Sequence, residues 1–547
     1  MNDTASHAPA APAARFDAIV VGAGFAGLYQ LHRLRKAGFS ARVLEAGDGI
    51  GGTWFWNRYP GARCDIESLD YSYSFDPDLQ QEWVWSERYA PQSEILAYIE
   101  HVADRFDLRR DIQLRTRVSA ARFDEAEDRW EVTTEAGERF SARWCIMATG
   151  CLSIPQAPKF PGLETFRGDW YHSSDWPRQG VDFSGKRVGV IGTGSSGVQM
   201  IPVIAETAGH LTVLQRTANY SVPAQNEPLT PEMLAEVKRN YDARRARARE
   251  AVTGHYLIAN DRSALEVDDE ARRKEFEWRW QGAGGGFRML RAFNDLLVNR
   301  QSNALAAEFV RGKIRETVRD PATAELLCPR EDLPFGTKRL CVDTNYYATF
   351  NRPNVSLVDV RADPIVEVTP EGVRTGTREF PLDVLVFATG FDAMTGALRS
   401  IDVVGRGGLA LRDKWEAGPL TYLGLAIHGF PNLFVLAGPG SPSVLSNMVT
   451  SIEFHVEWVT RCLERMRAQG QTRVEAEEAN ERQWVAHVNE VAARTLYPSA
   501  NSWYVGANIA GKPRVFMPYV AGVPAYRKIV EGVEARGYEG FRFAGRR

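Results

Sequence analysis

Several signals that would assign this chain to a common class are missing from its sequence. Its six cysteines include no C-x-x-C pair, which excludes the dithiol of a disulfide reductase and the usual spacing of zinc ligands. No apolar run approaches the roughly 18 residues of a membrane helix, and residues 1–15 lack the basic and apolar segments of a signal peptide. A net charge of -3 gives no electrostatic reason to bind nucleic acid or an anionic membrane. We therefore expect a cytoplasmic protein with no metal site, no nucleic-acid partner and no membrane contact.

The length and composition are those of a globular protein with several domains. At 547 residues, with 44% hydrophobic and 25% charged residues, the chain has room for roughly three or four domains. A strand, a glycine-rich turn and a helix-like run follow one another twice, at residues 18–45 and 187–217. These patterns predict an α/β protein with two Rossmann-like dinucleotide-binding domains.

In the first pattern, the apolar run 18–21 leads into a glycine-rich turn, and the next apolar run ends at Glu45. Glycines let the backbone approach a pyrophosphate, whose charge the free N–H groups of the helix N-terminus stabilise. An acid at the end of the second strand hydrogen-bonds a free ribose 2'-hydroxyl. We therefore expect FAD here, with its pyrophosphate on Gly22, Gly24 and Gly27.

In the second pattern, the run 187–191 leads into the turn, and the run 211–215 ends at Arg216 and Thr217. An arginine at this strand end pairs with a 2'-phosphate, which indicates NADPH. The residues at the helix start that we expect to carry its pyrophosphate are Thr193, Gly194, Ser195, Ser196, Gly197 and Gln199.

The second pattern lies between two similar strand ends, the Ala-Thr-Gly turns at 148–150 and 388–390. The NADPH domain is therefore expected to be inserted into the FAD domain. Charged helical segments such as 233–251 and 268–281 predict a helical insertion, and the glycine run 282–286 predicts a flexible connector. The predicted division is a disordered lead at 1–15, an FAD domain at 16–150 and 388–547, an NADPH domain at 151–222 and 330–387, and the helical insertion at 223–329.

Two longer motifs carry a resemblance to a known family. Residues 166–177 (FRGDWYHSSDWP) fit F-x-G-x-x-x-H-x-x-x-W-P, and residues 51–65 (GGTWFWNRYPGARCD) fit a second family pattern with a shared G-x-W and a final Asp. From about residue 16 to the C-terminus, the chain resembles the type I Baeyer-Villiger monooxygenases, and most closely their phenylacetone and steroid monooxygenase branch. The motif residues are Phe166, Gly168, His172, Trp176 and Pro177.

The ending of the first motif separates two related groups. Flavin-containing monooxygenases that act on amines and sulfides usually have Tyr or Phe where this chain has Trp176 and Pro177. The resemblance implies that His172 is a hinge or linker residue rather than a proton-transfer group. Packing alone is the alternative role for any single motif position.

The resemblance implies the cofactors FAD and NADPH and the co-substrate O2. One oxygen atom would be inserted next to a ketone carbonyl through a flavin C4a-peroxide, giving an ester or lactone. The implied FAD contacts are Glu45, Thr53, Trp54, Asp65, Tyr71 and Met448. The implied NADP contacts beyond the helix start are Arg63, Cys64, Arg216, Thr217, Lys338, Arg339 and Trp503.

Arg339 and Asp65 match the active-site arginine of the family and the carboxylate that orients it. A guanidinium keeps its proton at working pH, so it can stabilise the peroxide anion and the negative charge of the ketone adduct. An incidental salt bridge is the alternative. Arg216, Thr217 and Lys338 would form a clamp for the 2'-phosphate that discriminates NADPH from NADH, because two cations converge on a dianion, and a solvated Lys338 is the alternative.

Apolar residues predict the substrate class. Val444, Leu445 and Met448 would form a pocket wall that favours a small hydrophobic ketone, although plain core packing is the alternative. The chain is expected to be a monomer or a weak homo-oligomer. A flavin monooxygenase acting on nitrogen or sulfur is the nearest rival function, and an NADPH oxidase or nucleotide-binding redox sensor is a weaker one.

Overall fold

Twenty β-strands form the sheets of the protein, in a computed structural model that describes residues 13–282 and 286–545. In chain order they are β1 Ala14–Val21, β2 Ala41–Leu44, β3 Ile112–Gln113, β4 Val118–Asp124, β5 Arg129–Thr134, β6 Arg139–Met147, β7 Asp169–His172, β8 Arg187–Ile191, β9 His210–Gln215, β10 Ser221–Pro223, β11 Cys341–Asp343, β12 Val355–Asp359, β13 Ile365–Thr369, β14 Gly372–Thr375, β15 Glu379–Pro381, β16 Val384–Phe387, β17 Asp402–Val404, β18 Leu433–Val435, β19 Gln471–Ala476 and β20 Phe541–Gly545.

The α-helices cover and connect these strands. In chain order they are α1 Phe25–Lys36, α2 Thr53–Trp56, α3 Pro77–Glu82, α4 Gln92–Arg105, α5 Ser195–Thr207, α6 Pro231–Arg239, α7 Tyr241–Glu250, α8 Asp269–Gln281, α9 Arg300–Thr317, α10 Pro321–Leu327, α11 Tyr346–Thr349, α12 Gly396–Ser400, α13 Leu411–Lys414, α14 Met448–Ala468, α15 Glu478–Ala493 and α16 Val523–Ala535.

The first sheet has the strand order β17-β4-β5-β6-β1-β2-β3, and β18 also pairs with β6. At its centre, β1 runs parallel to both β2 and β6. The last four residues of β1 are almost fully buried: Ala18 and Val20 pack in the cluster that contains α1 and the long α14, and Ile19 and Val21 pack in a separate cluster on the other face. Burial on both faces explains why the strand is a continuous apolar run rather than an alternating one.

The second sheet is parallel throughout, in the order β12-β9-β8-β16-β7. Its strands all lie between β6 and β17 in sequence, so this sheet is inserted between parts of the first one. Strand β7 comes from the motif at 166–177, so this part of the motif is an edge strand of the sheet as well as a link between the two sheets. The α/β fold class with two such sheets is confirmed.

The helical insertion lies between β10 and β11 and contains α6 to α10. The predicted helical segment 233–251 is two helices rather than one, because Asn240 has φ -117° and ψ 18° and separates α6 from α7. The connector predicted at 282–286 has residues 283–285 outside the described part of the chain.

The predicted lead 1–15 is too long by two residues, since β1 begins at Ala14 and pairs with Phe140 of β6. Residues 1–12 lie outside the described residues. The domain boundaries themselves stay a prediction.

Candidate active site

The first glycine turn joins β1 to α1 without room for side chains. Gly22 has φ +104°, and a Cβ there would lie 2.6 Å from the carbonyl oxygen of Ala148. A Cβ on Gly27 would lie 1.8 Å from the carbonyl oxygen of Gly22. Gly24 is the N-cap residue of α1 and forms no side-chain cap. The amide donors of the first turn of α1 are therefore available to an anion.

Glu45 stands directly after β2 and is almost fully buried. Its two carboxylate oxygens accept hydrogen bonds from the backbone N–H groups of Ala23, at 2.7 Å, and Gly47, at 2.8 Å. Burial raises the pKa of this carboxyl group, although the two N–H donors oppose the shift. Each oxygen keeps a second lone pair, so the predicted contact with a ribose hydroxyl is compatible with these bonds.

Three of the implied flavin contacts gather beside the start of α1. Trp54 Nε1 donates to the hydroxyl of Tyr71 at 3.2 Å, and the Tyr71 ring packs edge-on against Phe25 with centroids 5.4 Å apart. Thr53, the exposed first residue of α2, follows Gly52, whose Cβ position would lie 3.0 Å from Gly24 Cα. The glycine-rich turn at 22–27 and the loop at 51–52 are therefore in close contact.

The second glycine turn repeats the geometry of the first. Gly192 has φ +111°, and a Cβ there would lie 2.5 Å from the carbonyl oxygen of Ala388. A Cβ on Gly197 would lie 2.2 Å from the carbonyl oxygen of Gly192. Gly194 differs, because no described heavy atom lies within 4 Å of its Cβ position. This open space faces the uncapped N-terminus of α5 and fits a pyrophosphate group there.

Hydroxyl groups at the start of α5 tie the turn to neighbouring segments. Thr193 Oγ1 donates to the carbonyl oxygen of Thr217 at 3.1 Å. Ser195 Oγ lies 3.7 Å from the sulfur of Cys341, and the hydroxyl of Ser196 interacts with that of Tyr59.

Arg216 and Lys338 come together although 122 positions separate them in the chain. Arg216 is exposed directly after β9. Burial and then the positive charge of Arg216 lower the pKa of the Lys338 ammonium. Two cations that repel each other in this way fit a dianionic phosphate, because its charge would relieve the repulsion.

Gln199, on the second turn of α5, is turned towards the first sheet. Its Oε1 accepts from the hydroxyl of Tyr59 at 2.8 Å, and its Nε2 donates to the carbonyl oxygen of Arg63 at 3.0 Å. Arg63 in turn pairs with Glu87 at 3.0 Å, and Cys64 beside it is buried. Gln199 therefore joins α5 to the 59–65 loop, and its contact with pyrophosphate stays a prediction.

Arg339 and Asp65 form a bidentate pair between segments 274 residues apart. Arg339 Nε donates to Asp65 Oδ2 at 2.9 Å, and Nη2 donates to Oδ1 at 2.7 Å. The third nitrogen, Nη1, donates to the carbonyl oxygen of Val444. The ring of Phe287 lies against the guanidinium, with its centroid 4.7 Å from Cζ.

The charge of Arg339 is secured by these neighbours. Burial opposes the charge, but the Asp65 carboxylate outweighs it and holds the pKa of Arg339 above its ordinary value. Burial also raises the pKa of the nearby Tyr504 hydroxyl to about 12, although Arg339 opposes that shift. At neutral pH Arg339 is therefore a fixed cation that is paired with the Asp65 carboxylate and lies beside the neutral hydroxyl of Tyr504.

The 166–177 motif has a packing role at most of its positions. A Cβ on Gly168 would lie 2.3 Å from the carbonyl oxygen of Asp383, so β7 sits tightly against the chain before β16. Phe166 packs against the second sheet's apolar cluster, and Trp176 is buried between Tyr171 and Phe183. The turn after the motif closes with a hydrogen bond from Gly180 N to the Pro177 carbonyl oxygen at 3.1 Å.

The imidazole of His172 forms hydrogen bonds with two hydroxyl groups that are not among the predicted cofactor or substrate contacts. Its Nδ1 lies 2.7 Å from Ser174 Oγ and its Nε2 lies 3.1 Å from Thr389 Oγ1. Burial lowers the pKa of the ring. Because Thr389 belongs to the second Ala-Thr-Gly turn, His172 joins the two crossing segments, in accord with the hinge or linker role.

An apolar cluster lies next to Arg339. Val444 is buried in it, Leu445 and Met448 are half-buried at its edge, and Trp503 packs against Tyr504 with centroids 4.3 Å apart. Met448 is also the first residue of α14 and packs against the core of the first sheet. The predicted substrate wall and Trp503, a predicted NADP contact, therefore belong to the same cluster.

Sequence reasoning missed three groups around Arg339. Phe287 directly follows the predicted connector and belongs to no motif, and the Val444 contact uses a backbone carbonyl, which no motif marks. Tyr504 was not among the predicted site residues, although it directly follows Trp503. A pattern search finds residue types, whereas these contacts depend on how distant segments pack.

Two other kinds of site are absent from the described part of the chain. Within 13–282 and 286–545, no group of three His, Cys, Asp or Glu side chains could hold a metal ion. In the same residues, every helix is too short or too polar to cross a membrane.

Comparison with known proteins agrees with this geometry. The model of the flavin-binding monooxygenase-like family matches residues 16–228. A Baeyer-Villiger monooxygenase of Pseudooceanicola batsensis is 43% identical over 96% of this chain and 96% of its own length. A phenazine N-monooxygenase of Lysobacter antibioticus is 42% identical, with 96% of each chain covered. The solved structure of oxidised steroid monooxygenase bound to NADP is 52% identical, with a TM-score of 0.94, over 97% of this chain and 100% of the other.

Proposed function

The chain belongs to the Baeyer-Villiger monooxygenases of the flavin-binding monooxygenase-like family, and on that premise we propose its substrate and the roles of its residues. The enzyme uses FAD and NADPH and inserts one atom of O2 beside a ketone carbonyl. We infer that the ketone is small, neutral and hydrophobic, and that Arg339 is the group that stabilises charge on it. The predicted family, enzyme class and cofactors are confirmed.

Both nucleotide sites fit their cofactors on observations of this chain. Within the part that the structure describes, the N-terminus of α1 and that of α5 have no side-chain cap, so their amide groups are free to bind phosphate. Glu45 suits a ribose with free hydroxyls, whereas Arg216 and Lys338 suit a 2'-phosphate. When bound, FAD and NADPH supply the two electrons and the centre at which O2 is activated.

The bidentate Arg339–Asp65 pair is the observation that carries the proposed mechanism. Because the pKa of Arg339 is raised, the side chain acts as a fixed cation and hydrogen-bond donor, not as an acid that releases its proton. Asp65 and the Val444 carbonyl direct the N–H groups of the guanidinium and orient it within its own plane. A cation held in place can stabilise negative charge that develops on the substrate carbonyl oxygen without reorganising.

The apolar cluster beside Arg339 supports a neutral substrate. Val444, Tyr504 and Phe516 are buried members of it, and Leu445 lies at its edge. A charged group transferred into such surroundings without a partner would lose several kcal/mol of hydration. A ketone needs only its carbonyl oxygen near the cation, and the rest of the molecule can contact apolar side chains.

The test measures product and cofactor consumption together. Purified enzyme would receive NADPH and 18O2 with phenylacetone, with cyclohexanone, or with a charged 2-keto acid of similar size. We expect one labelled oxygen in the ester or lactone, one NADPH consumed per product, and little turnover of the keto acid. Clear preference for the keto acid would contradict the substrate proposal.

Two further arms of the same assay test the rival functions. Thioethers and aromatic nitrogen heterocycles would show oxygenation at sulfur or nitrogen, an activity that the name of the Lysobacter antibioticus relative gives reason to include. NADPH consumption with release of one hydrogen peroxide per NADPH, unchanged by any substrate, would instead indicate an oxidase. The cytoplasmic location and the monomer or weak homo-oligomer stay predictions, for fractionation and light scattering.

A further inference from the structure

We propose that Glu67 and Arg288 form a positioning pair that holds Arg339 in its working orientation through the ring of Phe287. The proposal rests on the role of Arg339 given above. It adds two charged residues that belong neither to the predicted nucleotide contacts nor to the apolar cluster, although the backbone carbonyl of Glu67 accepts from Tyr71 N at 2.9 Å. They would determine what fraction of the consumed NADPH leads to ester rather than to hydrogen peroxide.

The geometry places two ion pairs side by side. Glu67 lies two residues after Asp65, and Arg288 directly follows Phe287. Arg288 Nη2 donates to Glu67 Oε1 at 2.5 Å, and the two side chains are only 14% and 12% exposed. Asp65 thus holds Arg339 while Glu67, on the same loop, holds the neighbour of the ring that lies against Arg339.

A positioning role follows from the planar shape of the guanidinium. The hydrogen bonds to Asp65 and to the Val444 carbonyl direct the N–H groups of Arg339 and so orient the group within its own plane. They restrain rotation out of that plane only weakly. The Phe287 ring, 4.7 Å from Cζ, is placed to restrain that tilt. The ring packs against both large core clusters, and the short turn Gly286–Arg291 that carries it is held to Glu67 by Arg288.

Because of the neighbouring charges, a substitution that removes the charge of Glu67 affects Arg288 more than Arg244. Its second oxygen, Oε2, accepts from Arg244 of α7 at 3.1 Å. Arg244 also forms a bidentate pair with the buried Asp70, at 2.7 Å and 2.9 Å. If Glu67 loses its charge, Arg244 therefore keeps a carboxylate partner. Arg288 loses the one carboxylate that pairs with it among the described residues.

The first experiment is a double-mutant cycle with Glu67→Gln, Arg288→Met and both together. The measured quantity is ester formed per NADPH consumed, in the holoenzyme. We expect each single variant to lower this ratio about fivefold, since groups in direct contact couple on that scale. The NADPH KM should stay within about twofold, and the double variant should be no worse than the poorer single one. Arg288→Lys, which keeps the charge, should recover part of the loss.

The matched control is Glu534→Gln, which breaks a bidentate pair with Arg461 between α14 and α16, at 2.7 Å and 2.9 Å, away from Arg339. It should leave the ratio unchanged. Losses from Glu67→Gln and Arg288→Met that multiply in the double variant would show that the two residues act independently and would overturn the proposal. So would a wild-type ratio in Glu67→Gln. If Glu67→Gln does not fold, Glu67→Asp, which keeps the charge and shortens the side chain, takes its place.

The second experiment does not depend on turnover. Hydrogen exchange of the peptide containing residues 286–291 would be followed in each variant without added nucleotide or ketone. We expect exchange there to rise in Glu67→Gln and Arg288→Met but not in Glu534→Gln. Unchanged exchange in both would refute the pairing. If the wild-type enzyme forms no ester while the exchange result holds, the proposed function fails and the pair stands as a structural contact.

Discussion

The two nucleotide sites are built on the same turn and differ in the residue directly after the second strand. After β2, Glu45 is buried, and both its oxygens accept backbone N–H groups of the glycine turn and the next loop. After β9, Arg216 is exposed and lies near Lys338, whose pKa its charge helps to lower. Backbone hydrogen bonds therefore fix Glu45 in place, whereas Arg216 lies near a second positive charge.

The difference indicates how each site would meet its ligand. The carboxylate of Glu45 already accepts two backbone N–H groups, so the predicted ribose hydroxyl of FAD would be an additional partner. The second site keeps two cations together whose repulsion a phosphate would relieve. A site of the first kind suits a cofactor that stays bound, and one of the second kind suits a nucleotide that binds and leaves.

The largest effect is expected from a substitution at Arg339, where the two regions of the molecule meet. Arg339→Ala removes the cation that Asp65 of the first region holds, and ester formation should fall at least about 100-fold because the lost charge acts where negative charge develops. NADPH oxidation with release of peroxide should continue. Gas chromatography of the ester and a peroxide assay measure both, with Arg461→Ala as the control. Ester yield near that of the control would remove Arg339 from the mechanism.

The next test addresses the second site alone. Arg216→Ala should raise the NADPH dissociation constant about 10- to 150-fold, the value of one charge-assisted hydrogen bond of roughly 1.5–3 kcal/mol. NADH, which has no 2'-phosphate, should bind as before. Titration of flavin reduction with each nucleotide gives both constants. Arg187→Ala, which loses an exposed pair with Asp383 on the same sheet, is the control. Equal weakening of NADH and NADPH would contradict the phosphate assignment.

A pH test concerns the packing around the first sheet. Burial lowers the pKa of His455 to about 3, while its Nδ1 accepts from Ala437 N at 2.9 Å. The unfolded ring has a pKa of about 6.5, so the unfolded state binds the extra proton first as pH falls, and stability is lost from about pH 6.5 downwards towards pH 3. At pH 5 the loss should be about 2 kcal/mol.

Denaturant unfolding of wild type and His455→Gln at pH 7.5 and pH 5 measures this loss. The variant should be less stable at pH 7.5 yet lose about 2 kcal/mol less between the two values. The exposed His210, replaced by Gln, serves as the control. Parallel pH dependence in wild type and His455→Gln would show that His455 is not the group responsible.

The smallest effect is expected from Glu45→Gln, which should weaken FAD binding without abolishing it. In Glu45→Gln, the amide keeps one oxygen acceptor but turns an NH2 group towards a backbone N–H donor. FAD retention should fall about fivefold, which corresponds to roughly 1 kcal/mol, the usual net value of one hydrogen bond. Fluorescence of released FAD on dilution measures it. The NADPH constant should not change, and an equal change in both constants would mean that the two sites are not independent.

Local sequence patterns were sufficient to predict the α/β fold class and the two glycine-rich turns. At Gly22 and Gly192 only a residue without a side chain escapes the carbonyl oxygen opposite, so the glycine spacing is a direct consequence of close backbone packing. The same reasoning failed at Asn240, where one helix was expected and two are present. Charged surface residues favour a helix on both sides of a break and give little sign of the break itself.

The sequence by itself determined the fold class, the two nucleotide fingerprints and the opposite charges of Glu45 and Arg216, because each depends on neighbours along one strand and one turn. The resemblance to the family implied Asp65 as the partner of Arg339, and only the tertiary structure decided which other residues surround the arginine. Asp65, Phe287 and the Val444 carbonyl reach it from three distant segments. Their meeting depends on how the two sheets and the helical insertion pack, and packing between remote segments leaves no periodic signal in a single sequence.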